Sequence, residues 1–350
     1  MKTVLLLCGA AISGSLIFAQ NAHLAVEDDH AGTARPDVSA ASRGGNRHQP
    51  RLAVPTLGFV LESTETQLVP IQGVGSAPTI GSSIPQPEGV SHIYLPPRQH
   101  YALVQNSASG SLKVWHLARR HPGASGEDLL DDIPGVATVP DSIVFSAGGS
   151  AAALFWKGSG RFQVLSGLPA KISITTFELP TNFGFPPIAA ISDDGQLVAA
   201  ADASGALHVI SKEGAQNIPL FQSPGTLLFV PKTHNLIVSD SNRLLMFAGV
   251  ESNSTPVIVA DSLNANLLAA TNDGDCVIAL DTAQKKLYKI DPTSLEVTAV
   301  PLSIEPQMLV TLRNGHNFLL SVSPLSVWQL PADRPDDKSG NESNLKRTNQ

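Results

Sequence analysis

A block of about forty residues recurs along this sequence, and no other feature restricts its fold as strongly. One copy runs Ile188-Ala-Ala-Ile-Ser-Asp-Asp-Gly195, then Gln196-Leu-Val-Ala-Ala-Ala-Asp202, a short turn, and Ala206-Leu-His-Val-Ile210. The next runs Leu227-Leu-Phe-Val230, Asn235-Leu-Ile-Val-Ser-Asp240 and Arg243-Leu-Leu-Met-Phe247. A third runs Asn266-Leu-Leu-Ala-Ala270, Cys276-Val-Ile-Ala-Leu-Asp281 and Lys286-Leu-Tyr-Lys-Ile290. Each copy has three apolar runs, and a fourth is placed after each, at 217–221, 256–260 and 296–300. First-run anchors fall at Ile93, Ile143, Ile188, Leu227, Leu267 and about Met308, so the period is close to 40–50 residues. Runs this short, divided by Gly, Asp, Asn and Ser, form antiparallel hairpins rather than helices. The 28 Gly and 26 Pro agree, since both punctuate a chain that reverses often.

Four short strands per forty residues is the period of a propeller blade. Ser192-Asp-Asp-Gly195 looks like the Ser-Pro-Asp-Gly turn between the first two strands of such blades. Lys113-Val-Trp-His-Leu117 and Ser326-Val-Trp-Gln-Leu330 look like the Val-Trp-Asp-Leu end of a WD40 blade. Over roughly residues 57–331 the chain therefore resembles β-propellers of the WD40-like and YVTN-like kind. It departs from a true WD40 pattern in having His116 and Gln329 at the Asp position and no Gly-His dipeptide at its usual place. The resemblance implies an all-β propeller and leaves its chemistry open, because a fold does not fix a function.

Six four-stranded blades are expected. The last repeat, with runs 308–312, 318–322 and 325–330, lacks a fourth strand. The hairpin at 57–61 and 67–71 lacks a block of its own and is expected to complete that blade, which closes the ring and leaves no unpaired edge there. Seven blades result instead if the hairpin and the loop at 73–90 build an extra one.

Residues 1–22 form an expected signal peptide: Lys2, an apolar stretch from Val4 to Phe18, then small Ala19 and Ala22. Residues 23–55 are a polar, aperiodic lead-in expected to be flexible, 56–331 a single propeller domain, and 332–350 an expected disordered tail. An exported protein, periplasmic or extracellular, follows, with no membrane insertion after the signal is removed. Asn253-Ser-Thr255 and Asn341-Glu-Ser343 match the glycosylation triplet. Net charge is −7 and Lys and Arg are scattered, so nucleic acid is not an expected partner. Loss of Cys8 with the leader leaves Cys276 alone, in an apolar run that marks a buried structural thiol.

Asp202, Asp240 and Asp281 recur at the end of the second run, and Asn106 holds the same place in an earlier copy. A ring of such carboxylates supplies oxygen ligands of the kind Ca²⁺ or Mg²⁺ takes, and lactonase-like propellers use one to polarise a carbonyl or activate water. Asp and Asn at this point also cap their own turns. Asp193, Asp194, Asn272, Asp273, Asp275 and Asn314 mark the first-to-second turns, again as turn formers. Gly73-Val-Gly75 is followed by Pro78 and Pro85 where a dinucleotide loop requires a helix, so it is a linker. First strands should line the channel with Ile, Ala, Leu, Val and Phe, and with few titratable groups beyond His92 and Asp141. Arg119 to Gly135 is the longest excursion and carries charges of both signs, as a solvated or partner-contact loop does. No catalytic or cofactor-binding residue is assigned. The expected function is a non-catalytic binding or scaffold module for a protein or glycan. The alternative is a divalent-metal, lactonase-like hydrolase at Asp202, Asp240 and Asp281. Three Trp that do not recur per blade disfavour a quinone-dependent dehydrogenase.

Overall fold

In the computed structural model the described residues are 54–331, apart from 62–66, 118–128, 137, 181–182, 184–185, 187, 203, 219–223 and 253–254. The expected signal peptide, lead-in, tail and both glycosylation triplets thus fall wholly or partly outside them.

Each apolar run becomes a short strand because turn residues cut it after a few positions, seven at most. Strands consecutive in sequence then pair as antiparallel neighbours, and the described strands make seven sheets. The protein is a seven-bladed β-propeller. Blade 1 comprises β1 (Thr56–Leu61), β2 (Leu68–Val74) and β3 (Ala77–Ile80). Blade 2 comprises β4 (Val90–Tyr94), β5 (Tyr101–Asn106), β6 (Leu112–His116) and β7 (Leu130–Asp132). Blades 3, 4, 5 and 6 span 142–178, 188–218, 224–261 and 267–301 with four strands each. Blade 7 has three, β24 (Val310–Thr311), β25 (Asn317–Val322) and β26 (Leu325–Gln329).

Of the two blade counts the repeat allows, the chain adopts the larger. The N-terminal hairpin does not join the last blade. It builds its own sheet, because residues 77–80 in the supposed loop add to β2 as β3. Gly73 makes the reversal possible. Its φ is +105°, and a Cβ there would lie 2.5 Å from the Ala77 carbonyl oxygen. Pro78 is tolerated because β3 is an outer strand. The fourth strand of blade 4 is Gly214–Ile218, three residues earlier than its apolar residues suggest. Part of the 119–135 excursion is β7, where Asp131 lies 2.6 Å from His116 and Asp132 lies 3.0 Å from Lys113.

Second strands are buried on both faces, which is why they lack polar alternation. Val277 and Ala279 of the strand Val277–Asp281 enter the cluster shared with blade 5, while Ile278 and Leu280 enter the one shared with blade 7. The same division holds around the ring, and seven apolar clusters fill the seven spaces between adjacent blades. The ring closes between blades 7 and 1 by side-chain packing of Leu57, Val60, Val69 and Ile71 on Leu312, Leu319 and Val322. There Arg313 N also donates to the Leu57 carbonyl at 3.0 Å. Cys276 is buried, and burial pushes its thiol up to about 11. Among the described residues, no helix is long and apolar enough to cross a membrane.

Candidate functional site

The innermost strands surround a central cavity of about 250 Å³. Its wall is largely aliphatic and aromatic, with Phe59, Val144, Ala189, Leu228, Leu268 and Val310 contributed by six blades. β4 contributes no lining residue. Blade 2 reaches the cavity only through Leu95, Pro97 and Gln99 of the turn that follows. His92 is exposed on β4, and Asp141 accepts the Lys157 backbone N–H at 2.7 Å, so neither lines the cavity. The polar lining side chains are Ser142, Gln99, Thr226 and Thr311. Two of these are engaged elsewhere. Thr311 donates to the Ala270 carbonyl, and Gln99 Oε1 and Nε2 bond the backbone N–H and C=O of Phe59 at 2.7 and 3.0 Å.

On the rim made by second-to-third turns stand the four residues whose recurrence suggested a metal ring. Asn106 Oδ1 accepts the backbone N–H groups of Ala108 and Ser109. Asp202 Oδ1 accepts from Ser204 N, Ser204 Oγ and Ala206 N, and Oδ2 lies 3.1 Å from His208 Nε2. The Ser204 hydroxyl, chiefly, holds the Asp202 carboxyl down to about 2, with His208 and the two amides adding to it against burial. Asp240 is fully buried and accepts from Arg243 Nη2 at 2.7 Å. Asp281 is buried, accepts from Gln284 N, and keeps Oδ2 without a partner. Each carboxylate is thus bound inside its own turn. Among the described residues no three His, Cys, Asp or Glu gather as metal ligands. Ser204, Asp202 and His208 do not form a nucleophile set either. The carboxylate stands between hydroxyl and imidazole, whereas activation needs the imidazole in the middle.

The opposite rim, made by first-to-second turns, is built differently. Six blades place a four-residue turn here, closed by a backbone bond from the fourth residue to the first: 96–99, 146–149, 192–195, 230–233, 271–274 and 312–315. In four of them the fourth residue is a left-handed glycine. Gly274 shows the need: a Cβ would lie 2.7 Å from the Pro231 carbonyl oxygen of the preceding blade. The turns at 96–99 and 230–233 have Pro second and a left-handed cation third, Arg98 at φ +68° and Lys232 at +63°. That is the type II arrangement, which ordinarily favours glycine at the third place.

These turns bond to one another. Asp193 of blade 4 accepts Gly148 N of blade 3 at 2.8 Å and Lys232 N of blade 5 at 3.0 Å. His234 lies 3.0 Å from Asp194 and 2.8 Å from Glu251. Burial lowers its pKa, but the two carboxylates outweigh that and leave it raised. Arg98 donates through Nη2 to the Asn272 carbonyl, linking blade 2 to blade 6. Arg313 Nε donates to His100 Nδ1 at 3.3 Å. Sequence reasoning placed the turn residues correctly but overlooked Arg98, His100 and Arg313. The available signal was that blades 2 and 7 carry Arg where blades 4 and 6 carry Asp or Asn.

An aliphatic channel between one rim of self-contained turns and one of interlocked turns defines a seven-bladed β-propeller with no assembled catalytic group on the described residues. No protein-family model and no curated protein matches the sequence. Among solved structures, hydrazine synthase of Kuenenia stuttgartiensis aligns at 12% identity and TM-score 0.48, covering 83% of this chain and all of that one. A functionally unknown protein from Desulfotomaculum acetoxidans aligns at 13% identity and TM-score 0.45, covering 80% of this chain and 88% of that one.

Proposed function

We propose that this chain is an exported, non-catalytic binding module whose rims contact a protein or glycan partner. The aliphatic channel wall carries the reading. Catalysis in a propeller channel needs polar groups converging on one reacting atom, and here the lining polar groups are few and two of the four are engaged in backbone bonds. Asp202 and Asp240, the carboxylates a metal would need, have their charge met by turn donors or an arginine. Export rests on the apolar leader at Val4 to Phe18 behind Lys2.

The test is a thermal melt of residues 23–350 with EDTA and then with millimolar Ca²⁺ or Mg²⁺, run beside a lactone and ester hydrolysis screen. A ligand specific to the native state must raise the melting temperature. The expected result is no metal-dependent shift and no turnover, with retention of a partner from the exported fraction. A metal shift of several degrees that EDTA reverses, with turnover lost in D202N, D240N and D281N, overturns the reading in favour of a hydrolase.

A further inference from the structure

We infer that Arg98 and His100 of blade 2 and Arg313 of blade 7, on the interlocked rim, form a site for a tetrahedral oxyanion, a phosphate or sulfate group. This deepens the binding-module reading and rests on it, since the oxyanion would be carried by the partner.

The cluster brings together residues 213 positions apart, Arg313 and His100, and beside them Arg98 reaches past to donate through Nη2 to the Asn272 carbonyl of blade 6. Arg313 Nε stands 3.3 Å from His100 Nδ1, and Arg98 lies two residues before His100. Burial first, then the charges of Arg313 and Arg98, hold the His100 pKa below its ordinary value, and no carboxylate contributes to that shift. Ion pairs elsewhere among the described residues give Lys113, Arg161, Arg243 and Lys285 an acidic partner, but none gives one to Arg98 or Arg313. Like charges without a counter-ion cost free energy, and in a chain of net charge −7 acidic side chains are in excess.

A second observation points the same way. Arg98 Nε is buried and has no hydrogen-bond partner. Natural folds rarely leave a buried donor unmet. Arg98 and Gln99 are both left-handed, at φ +68° and +44°, a conformation that costs a non-glycine residue. The two bonds from Gln99 to Phe59 lock that turn, so the guanidinium is presented by a fixed scaffold. The fork of a guanidinium suits an oxyanion, and the two here have N–H groups beyond Arg98 Nη2, which is on the Asn272 carbonyl, and Arg313 Nε, which is on His100.

The linkage gives a specific readout. An anion beside His100 favours the imidazolium, so it must raise the His100 pKa, and binding must tighten as pH falls through that range. The groups acting on this imidazole are Arg313 from blade 7 and Arg98 from its own turn.

The experiment is an NMR titration of the His100 ring in residues 23–350, at fixed ionic strength, with inorganic phosphate, sulfate or acetate. Phosphate or sulfate is expected to raise the His100 pKa by about half a unit or more. R313Q is expected to weaken the response at least tenfold, and R161Q, which removes an arginine already paired with Glu178, to leave it unchanged. An equal response to both tetrahedral ions assigns the shared chemistry, and a response to one alone assigns that ion. No shift, a shift as large with acetate, or a shift that survives in R313Q overturns the site. R98Q adds a second variant, and R313Q serves alone if R98Q does not fold. Failure here, with a partner still retained, leaves the binding-module reading intact; metal-dependent turnover removes that reading instead.

Discussion

The two rims of the ring use the same residue type for different ends. On the rim of second-to-third turns, Asn106 and Asp202 each accept amides two to four residues away, and among the described residues nothing joins one blade to another through them. On the opposite rim, Asp193 accepts amides 45 and 39 residues away and ties three blades together. A carboxylate that bonds locally stabilises a turn. One that bonds across a blade boundary fixes the angle between sheets. One rim is therefore a row of independent turns, and the other is a welded hoop.

The largest effect that tests this contrast is expected at Gln99. Gln99→Ala leaves the buried N–H and C=O of Phe59 unmet across the boundary between blades 1 and 2, at about 3 kcal/mol in urea unfolding. Asp193→Ala removes both ties made by this carboxylate and is expected to cost about 2 kcal/mol by the same measurement. Asp202→Ala is expected to cost about 1 kcal/mol, because only its own turn is lost. If Asp202→Ala costs as much as Asp193→Ala, the distinction between the rims fails.

Two pH dependences sharpen it further. The Asp202 carboxyl is depressed to about 2, so its contribution is present above the ordinary carboxylate value near 3.8 and is lost as pH falls toward 2. An acid melt should show that this loss disappears in Asp202→Asn. His234 behaves in the opposite sense. Its pKa is raised, so its ties to Asp194 and Glu251 are fully present below about 6.5 and are lost as pH rises through the raised value. The pair is partly exposed, so the change between pH 5.5 and 8.5 should be about half a kcal/mol, absent in His234→Gln.

Much of this architecture is legible in the sequence. Ile93, Ile143, Ile188, Leu227 and Leu267 all lie in inner strands where the repeat puts them. The blade count was harder to see because β3 is four residues long, includes Pro78 and has only Ile80 as a large apolar residue. Its pairing depends on Gly73 adopting a positive φ, which periodicity does not report. Asp202 and Asp240 were visible as recurrent positions, but whether a recurrent Asp faces its own turn or a neighbour's is a matter of rim, and the two rims alternate along every blade. The arginines at 98 and 313 stand out against Asp and Asn in the matching turns, but their meeting with His100 does not, since closing the ring is what brings residue 313 to residue 100.

The clusters between blades carry one more consequence. Val277 and Ile278 are neighbours in sequence yet belong to different apolar clusters, and the same is true of Leu236 and Ile237. The segment that repeats in sequence is therefore not the segment that holds itself together. A single blade excised from the ring would keep the hydrogen bonds between its own strands and lose the partner half of two hydrophobic interiors. Shortening this protein by one repeat removes one gap and mismatches the two surfaces left behind, so stable variants of different size must be sought by changing the curvature of the whole ring.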